Sequence, residues 1–275
     1  MTELLQYLDY PFFQRALLAV VLVSLCGAVV GTYIVSRRLV AISGGITHAC
    51  FGGLGLGYFL GVSPLLTAAV VAVASSAAVE WSSSRWGVRS DSAIAVVWAL
   101  GMALGTLFVF LTPGYVPELN TFLFGNILTV GPSDLLAFGI FGLVLAVFTV
   151  SCYRRIVAVA FDSDFAAVSG INVRFISYAM TVLVAVCIVL TIRVVGIMML
   201  MSVLSLPMLA AEVYCRRMAT IMCASAAVSL LCCLGGLVLS AGTGVPASAM
   251  AVLLMVAVYA VARISAALSA RRQAR

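Results

Sequence analysis

His48 is the only histidine in the chain, and it lies in an apolar stretch that runs from Leu39 to Gly53. An imidazole in hydrocarbon is costly unless it has a partner or a task, so an ionisable group inside a membrane span is a candidate functional site. The competing reading is a structural histidine bonded to a nearby backbone carbonyl. On a helix its neighbours one turn away are Gly44, Gly45, Phe51 and Gly52. Three of these lack a side chain, so the imidazole is expected to project over a groove. Neutral imidazole is the commonest protein ligand for transition metals. His48 follows Arg38 by about 15 Å of helix, which places it near the bilayer midplane. Cys50 lies about 200° further round the helix and is expected to point away.

Other donors are sparse. The carboxylates Glu80 and Glu212 fall near span ends close to arginines, and none falls deep in a span. A closed Zn²⁺ cage wants four ligands and is not expected here. A passing ion needs less, because it must also leave. Met198, Met199, Met201 and Met208 could line a path for a soft ion, although methionine more often fills irregular gaps in cores. The 8 cysteines form no Cys-x-x-Cys pair. Most lie in apolar stretches, where they act as small hydrophobes, and no disulfide framework is implied.

The elements that position these residues are membrane helices. The chain has 275 residues, of which 64% are hydrophobic and 9% charged, against about 25% charged in a soluble domain. We expect an all-α polytopic bundle filling residues 1–275 as a single membrane domain. About nine spans are expected: Phe13–Val35, Leu39–Val62, Pro64–Glu80, Ser92–Leu111, Pro132–Cys152, Phe175–Ile192, Val194–Tyr214, Met218–Ser240 and Pro246–Ile264. Eight remain possible if one segment is re-entrant. Pro207 is expected to kink its helix, with Ser202 and Ser205 satisfying the freed carbonyl. The residues from Tyr7 to Phe13 read as interfacial, and those from Val116 to Val130 as a short outer helix or re-entrant piece. The segment from Met1 to Tyr7 has no basic stretch ahead of an apolar core, so the first span is expected to direct targeting.

All 15 basic residues are arginine. With the N-terminus outside and the C-terminus cytoplasmic, only Arg15 and Arg193 fall at the outer face, which satisfies the positive-inside rule. The net charge of +6 therefore reflects topology, and no nucleic-acid partner is expected. The absence of lysine excludes a Walker A loop on this chain, and a Schiff-base lysine with it. Glycines four apart (Gly27 and Gly31, Gly53 and Gly57, Gly101 and Gly105) read as helix-packing faces.

The cytoplasmic segment 156–173 holds the second feature. Asp162 suits a helix N-cap, Asp164 suits the first-turn dipole and Gly170 suits the stop. Between them a short helix is expected to show Phe165, Ala166 and Val168, as a knob on which a partner could dock.

These features together resemble the membrane permease subunits of bacterial ABC importers for zinc and manganese. The stretch from Arg37-Arg38-Leu39 to Gly61 is similar to that family's signature, Gly-Asp-x-x-x-His-Ala running into a glycine-rich helix. Phe161-Asp162 through Gly170 is similar to its coupling-helix segment. Gly196 to Ala211, with Pro207, and Ser240 to Ala249, with Pro246 and Ser248, resemble its later spans. The resemblance implies a non-catalytic pore subunit in the bacterial cytoplasmic membrane. Zn²⁺ or Mn²⁺ would be its cargo, and no cofactor would be permanently bound. It also implies a separate ATPase carrying the ATP, an extracytoplasmic metal-binding protein and a homodimer. His48 carries over as the metal-handling residue; the family's aspartate does not, since Gly44 stands in its place. Asp162, Asp164, Phe165, Ala166 and Gly170 carry over as the ATPase-coupling residues. Two rivals stand beside this reading: the same architecture carrying an organic solute or metal chelate, and a secondary transporter, which would need membrane carboxylates as relays.

Overall fold

The computed structural model describes residues 10–113, 125 and 130–273. Among them are ten helices and no strand. They are α1 (Pro11–Ser36), α2 (Val40–Leu60), α3 (Pro64–Trp86), α4 (Ser90–Leu111), α5 (Pro132–Phe161), α6 (Ser163–Val168), α7 (Val173–Val203), α8 (Leu206–Ala211), α9 (Met218–Thr243) and α10 (Ala247–Gln273). Among the described residues eight candidate spans are long and apolar enough to cross a membrane, α7 and α8 counting as one stretch from Val173 to Ala211. Residues 7–9 of the expected interfacial segment 7–13, and most of the segment 116–130, fall outside the described residues; residues 11–13 form the first turn of α1.

The expected sixth and seventh spans are joined without a polar loop. The break is at Gly196, whose backbone (φ 80°, ψ 171°) lies outside the helical region. A side chain there would be strained, and glycine escapes that cost. Helix α7 then ends at Val203, and Pro207 opens the new helix α8 instead of kinking a continuing one. Ser202 donates to the Met198 carbonyl at 3.4 Å and Ser205 to that of Met201 at 2.6 Å, so the serines bond the last turns of α7 and not the Val203 carbonyl that a kink at Pro207 would have freed.

By contacts the chain divides into two compact units. The first comprises Met1–Val35, Asn120–Leu143 and Arg193–Arg275. In it, Gly27 of α1 lets Val203 and Leu204 approach, and Gly31 does the same for Leu204 and Met208. Ser229 of α9 donates to Ser24 of α1 at 3.2 Å, and both are buried. Gly236 of α9 packs on the backbone of Ala251 of α10. Tyr214 donates to the Ala262 carbonyl at 3.3 Å and is hydrogen-bonded to Ser265. Arg193 pairs with Asp134, in the first turn of α5, at 3.4 Å.

The second unit comprises Ser36–Leu119 and Val144–Ile192, and helix α2 is its centre. Gly61 ends α2 in a left-handed conformation, and Pro64 starts α3 three residues later. Gly53 and Gly57 of α2 lie against Ala68 and Pro64 of α3, while Gly52 and Gly55 lie against Gly101 and Gly105 of α4. Glycine on both sides of a contact brings backbones together where lipid leaves little hydrophobic drive. A Cβ on Gly101 would come within 2.6 Å of the His48 carbonyl oxygen. This seam fixes the relation between α2 and α4, and with it the surroundings of the histidine.

Candidate metal-handling site

Helix α2 presents His48 half-buried toward α4. The imidazole stacks on the indole of Trp98, with ring centroids 4.5 Å apart and planes 15° from parallel. Its Nδ1 lies 3.1 Å from the Sδ of Met102. Trp98 and Met102 are four residues apart on α4 and so share a face. Among the described residues the ring's hydrogen-bonding contact is with this sulfur and not with a backbone carbonyl. Gly45 and Gly52, expected to leave a gap, are filled by Ile94 and Gly101 of α4. The small residues serve the helix seam, and the imidazole emerges at its margin.

Among the described residues no three His, Cys, Asp or Glu side chains cluster as a metal site. Cys50 is 1% exposed, in surroundings unlike those of half-buried His48, as its helical angle predicts. Met199 and Met208 are core residues, so packing explains them better than a thioether path. Among the described residues no carboxylate is hydrogen-bonded or ion-paired to His48, and Gly44 supplies none. The site therefore offers one imidazole nitrogen and one thioether sulfur beside an aromatic face. Met102 and Trp98 were not apparent from the sequence. The paired glycines Gly101 and Gly105 marked a packing face on α4, but nothing in the sequence named its partner.

The cytoplasmic segment folds as its caps dictate. The Asp162 carboxylate accepts from the backbone N–H groups of Asp164 at 3.1 Å and Phe165 at 2.9 Å, an N-cap that starts α6. At the other end Gly170 has φ 77°. The N–H groups of Gly170 and Ile171 return to the carbonyls of Ala167 and Ala166, a Schellman closure. Every residue of α6 except Ala166 is exposed, the large apolar ones being Phe165 (66%) and Val168 (90%). Ala166, expected to be shown alongside them, is instead completely buried. It sits about 100° round the helix from Phe165, and the face of Phe165 and Val168 turns the alanine inward. The guanidinium of Arg37, just after α1, donates to the Val159 carbonyl at 3.3 Å and to Ser177 at 3.5 Å. It thereby ties together the end of α5 and the start of α7, the two helices that carry α6 between them.

Comparison with known proteins agrees with this architecture. The model of the ABC 3 transport family matches residues 9–266. A protein of Chlamydia pneumoniae named "Probable metal transport system membrane protein" is 38% identical over 233 residues, covering 82% of this chain and 78% of that one. The manganese transport system membrane protein MntC of Halalkalibacterium halodurans is 29% identical over 258 residues, covering 94% and 88%. Among solved structures, PsaBC from Streptococcus pneumoniae in complex with Fab superposes with a TM-score of 0.82 at 22% identity, covering 94% of this chain and 95% of that one. At that identity the likeness concerns the fold.

Proposed function

The chain belongs to the ABC 3 transport family, and from that premise we propose that it is the membrane-spanning, pore-forming subunit of an ATP-driven importer of divalent metal ions. The relatives named for metal and manganese transport support a divalent metal such as Mn²⁺ as cargo, and Zn²⁺ is the other candidate that the sequence resemblance implies. The observation that carries the reading is the one imidazole of the chain, half-buried in a membrane helix with its nitrogen toward a second donor. An ion in transit would meet His48, lose part of its hydration to it and move on.

ATP would be hydrolysed on a separate subunit, because this chain has no lysine for a P-loop. That subunit would dock on Phe165 and Val168 of α6. Its nucleotide cycle would move α6 together with the ends of α5 and α7 that Arg37 holds, switching access between the two sides. An extracytoplasmic metal-binding protein would deliver the ion, and a second copy of this chain would complete the pathway in the bacterial cytoplasmic membrane. In this reading the N-terminus is outside, and residues 197–211 return toward the cytoplasm as a short ninth crossing. Arg216 and Arg217 then lie on the same side as Arg154, Arg155 and Arg174, as the positive-inside rule requires.

The test is uptake of Zn²⁺ or Mn²⁺ by proteoliposomes holding the chain with its ATPase. Uptake that requires ATP supports the reading. Equal uptake without ATP would favour the secondary transporter.

A further inference from the structure

Among the described residues the imidazole is paired with a thioether and with no carboxylate, and donor type bears on which ions a site favours. We propose that Met102 is a direct second ligand to the ion held by His48, and that the pair selects the softer Zn²⁺ over Mn²⁺. This rests on the metal-permease reading and deepens it.

A zinc-type ion takes imidazole nitrogen at about 2.0–2.1 Å and thiolate sulfur at about 2.3 Å, the nearest approach to expect of a neutral thioether. The observed separation of 3.1 Å between His48 Nδ1 and Met102 Sδ would admit such an ion with an N–metal–S angle of roughly 90°. Opening the pair to about 3.6 Å would reach the tetrahedral angle, and the three side-chain torsions of methionine make that movement cheap. Met102 is 39% exposed and has room for it. To bind, His48 takes the tautomer with the proton on Nε2 and the lone pair on Nδ1, the nitrogen already facing the sulfur. The stacked Trp98 ring holds the imidazole plane, so the donor does not swing away.

Chemistry then sets the preference. Carboxylate, carbonyl and water suit Mn²⁺, whereas thioether and imidazole suit softer ions. Gly44, one turn before His48, removes the hard donor that a carboxylate there would supply. Two protein donors make an incomplete shell that water can finish, which suits an ion that must also leave.

Met102→Leu tests this, because leucine keeps the volume, removes the sulfur and sits at a part-exposed position where folding is preserved. Uptake of radiolabelled Zn²⁺ and Mn²⁺ would be measured in competition, in proteoliposomes containing the full complex. The unsubstituted complex is expected to favour Zn²⁺. Met102→Leu is expected to lower Zn²⁺ uptake about tenfold while Mn²⁺ uptake changes less than about twofold. Met102→Glu, which installs a hard donor, is expected to shift the preference toward Mn²⁺. An unchanged Zn²⁺ to Mn²⁺ ratio in Met102→Leu, with both ions transported, overturns the role of Met102 and leaves the permease reading standing. Failure of the unsubstituted complex to transport either ion overturns both.

Discussion

At the scale of single residues the account turns on what surrounds one imidazole. Trp98 covers one face of His48, and Met102 faces one nitrogen. An aromatic pair of this geometry contributes about 0.5–1.5 kcal/mol beyond burial. Trp98→Ala should therefore lower metal uptake about threefold to tenfold without abolishing it, and Trp98→Phe should restore most of the loss; transport assays on the assembled complex check both. His48 itself was legible in the sequence, because a lone ionisable group in an apolar stretch stands out by composition alone. Its partners were not. Met102 is 54 residues away, and only the docking of two helices brings it near. The glycines around His48 were visible too, but their empty faces are filled by Ile94 and Gly101, an outcome that periodicity within one helix cannot specify.

At the scale of elements, the α2–α4 seam positions the site. Gly101 faces the backbone of Ala49 and the carbonyl of His48 at distances that leave no room for a methyl group. Gly101→Ala should cost about 1–3 kcal/mol through overpacking and lower the Tm of the purified complex. Gly139→Ala on α5, where nothing lies within 4 Å, should leave Tm unchanged or raise it slightly. The seam was half legible: glycines four apart announce a packing face, yet do not say which helix fills it. Helix α6 was more fully legible, because its caps are local. Asp162 and Gly170 satisfy backbone groups within a few residues, so type and spacing sufficed. What the sequence could not fix was the rotation of α6 about its axis, and that rotation hides Ala166 while exposing Phe165 and Val168.

At the scale of the whole molecule, length and hydropathy made the polytopic helical class plain; helix starts fall within about two residues of those expected, whereas α3, α5 and α10 run on past the expected ends at Glu80, Cys152 and Ile264 to Trp86, Phe161 and Gln273. The break at Gly196 was misplaced by a few residues because no polar loop marks it: Val194, Val195 and Ile197 flank the glycine without a change in hydropathy. Topology is the consequence. If residues 197–211 return across the membrane, Glu212 shares the cytoplasmic side with Val168, which is 90% exposed on α6. In a cysteine-free background, Val168→Cys and Glu212→Cys should both react with a membrane-impermeant thiol reagent only from the cytoplasmic side. Labelling of Glu212→Cys from outside would mean that the chain crosses once between Val173 and Ala211.

The most direct test of the central claim is ATP-driven metal uptake by the His48→Ala complex, with assembly confirmed by co-purification of the ATPase. Loss of uptake of both Zn²⁺ and Mn²⁺ to the level of empty vesicles, in a complex that still assembles, is the predicted result. Uptake at the unsubstituted rate would contradict the account, since the ion would then cross without meeting the imidazole.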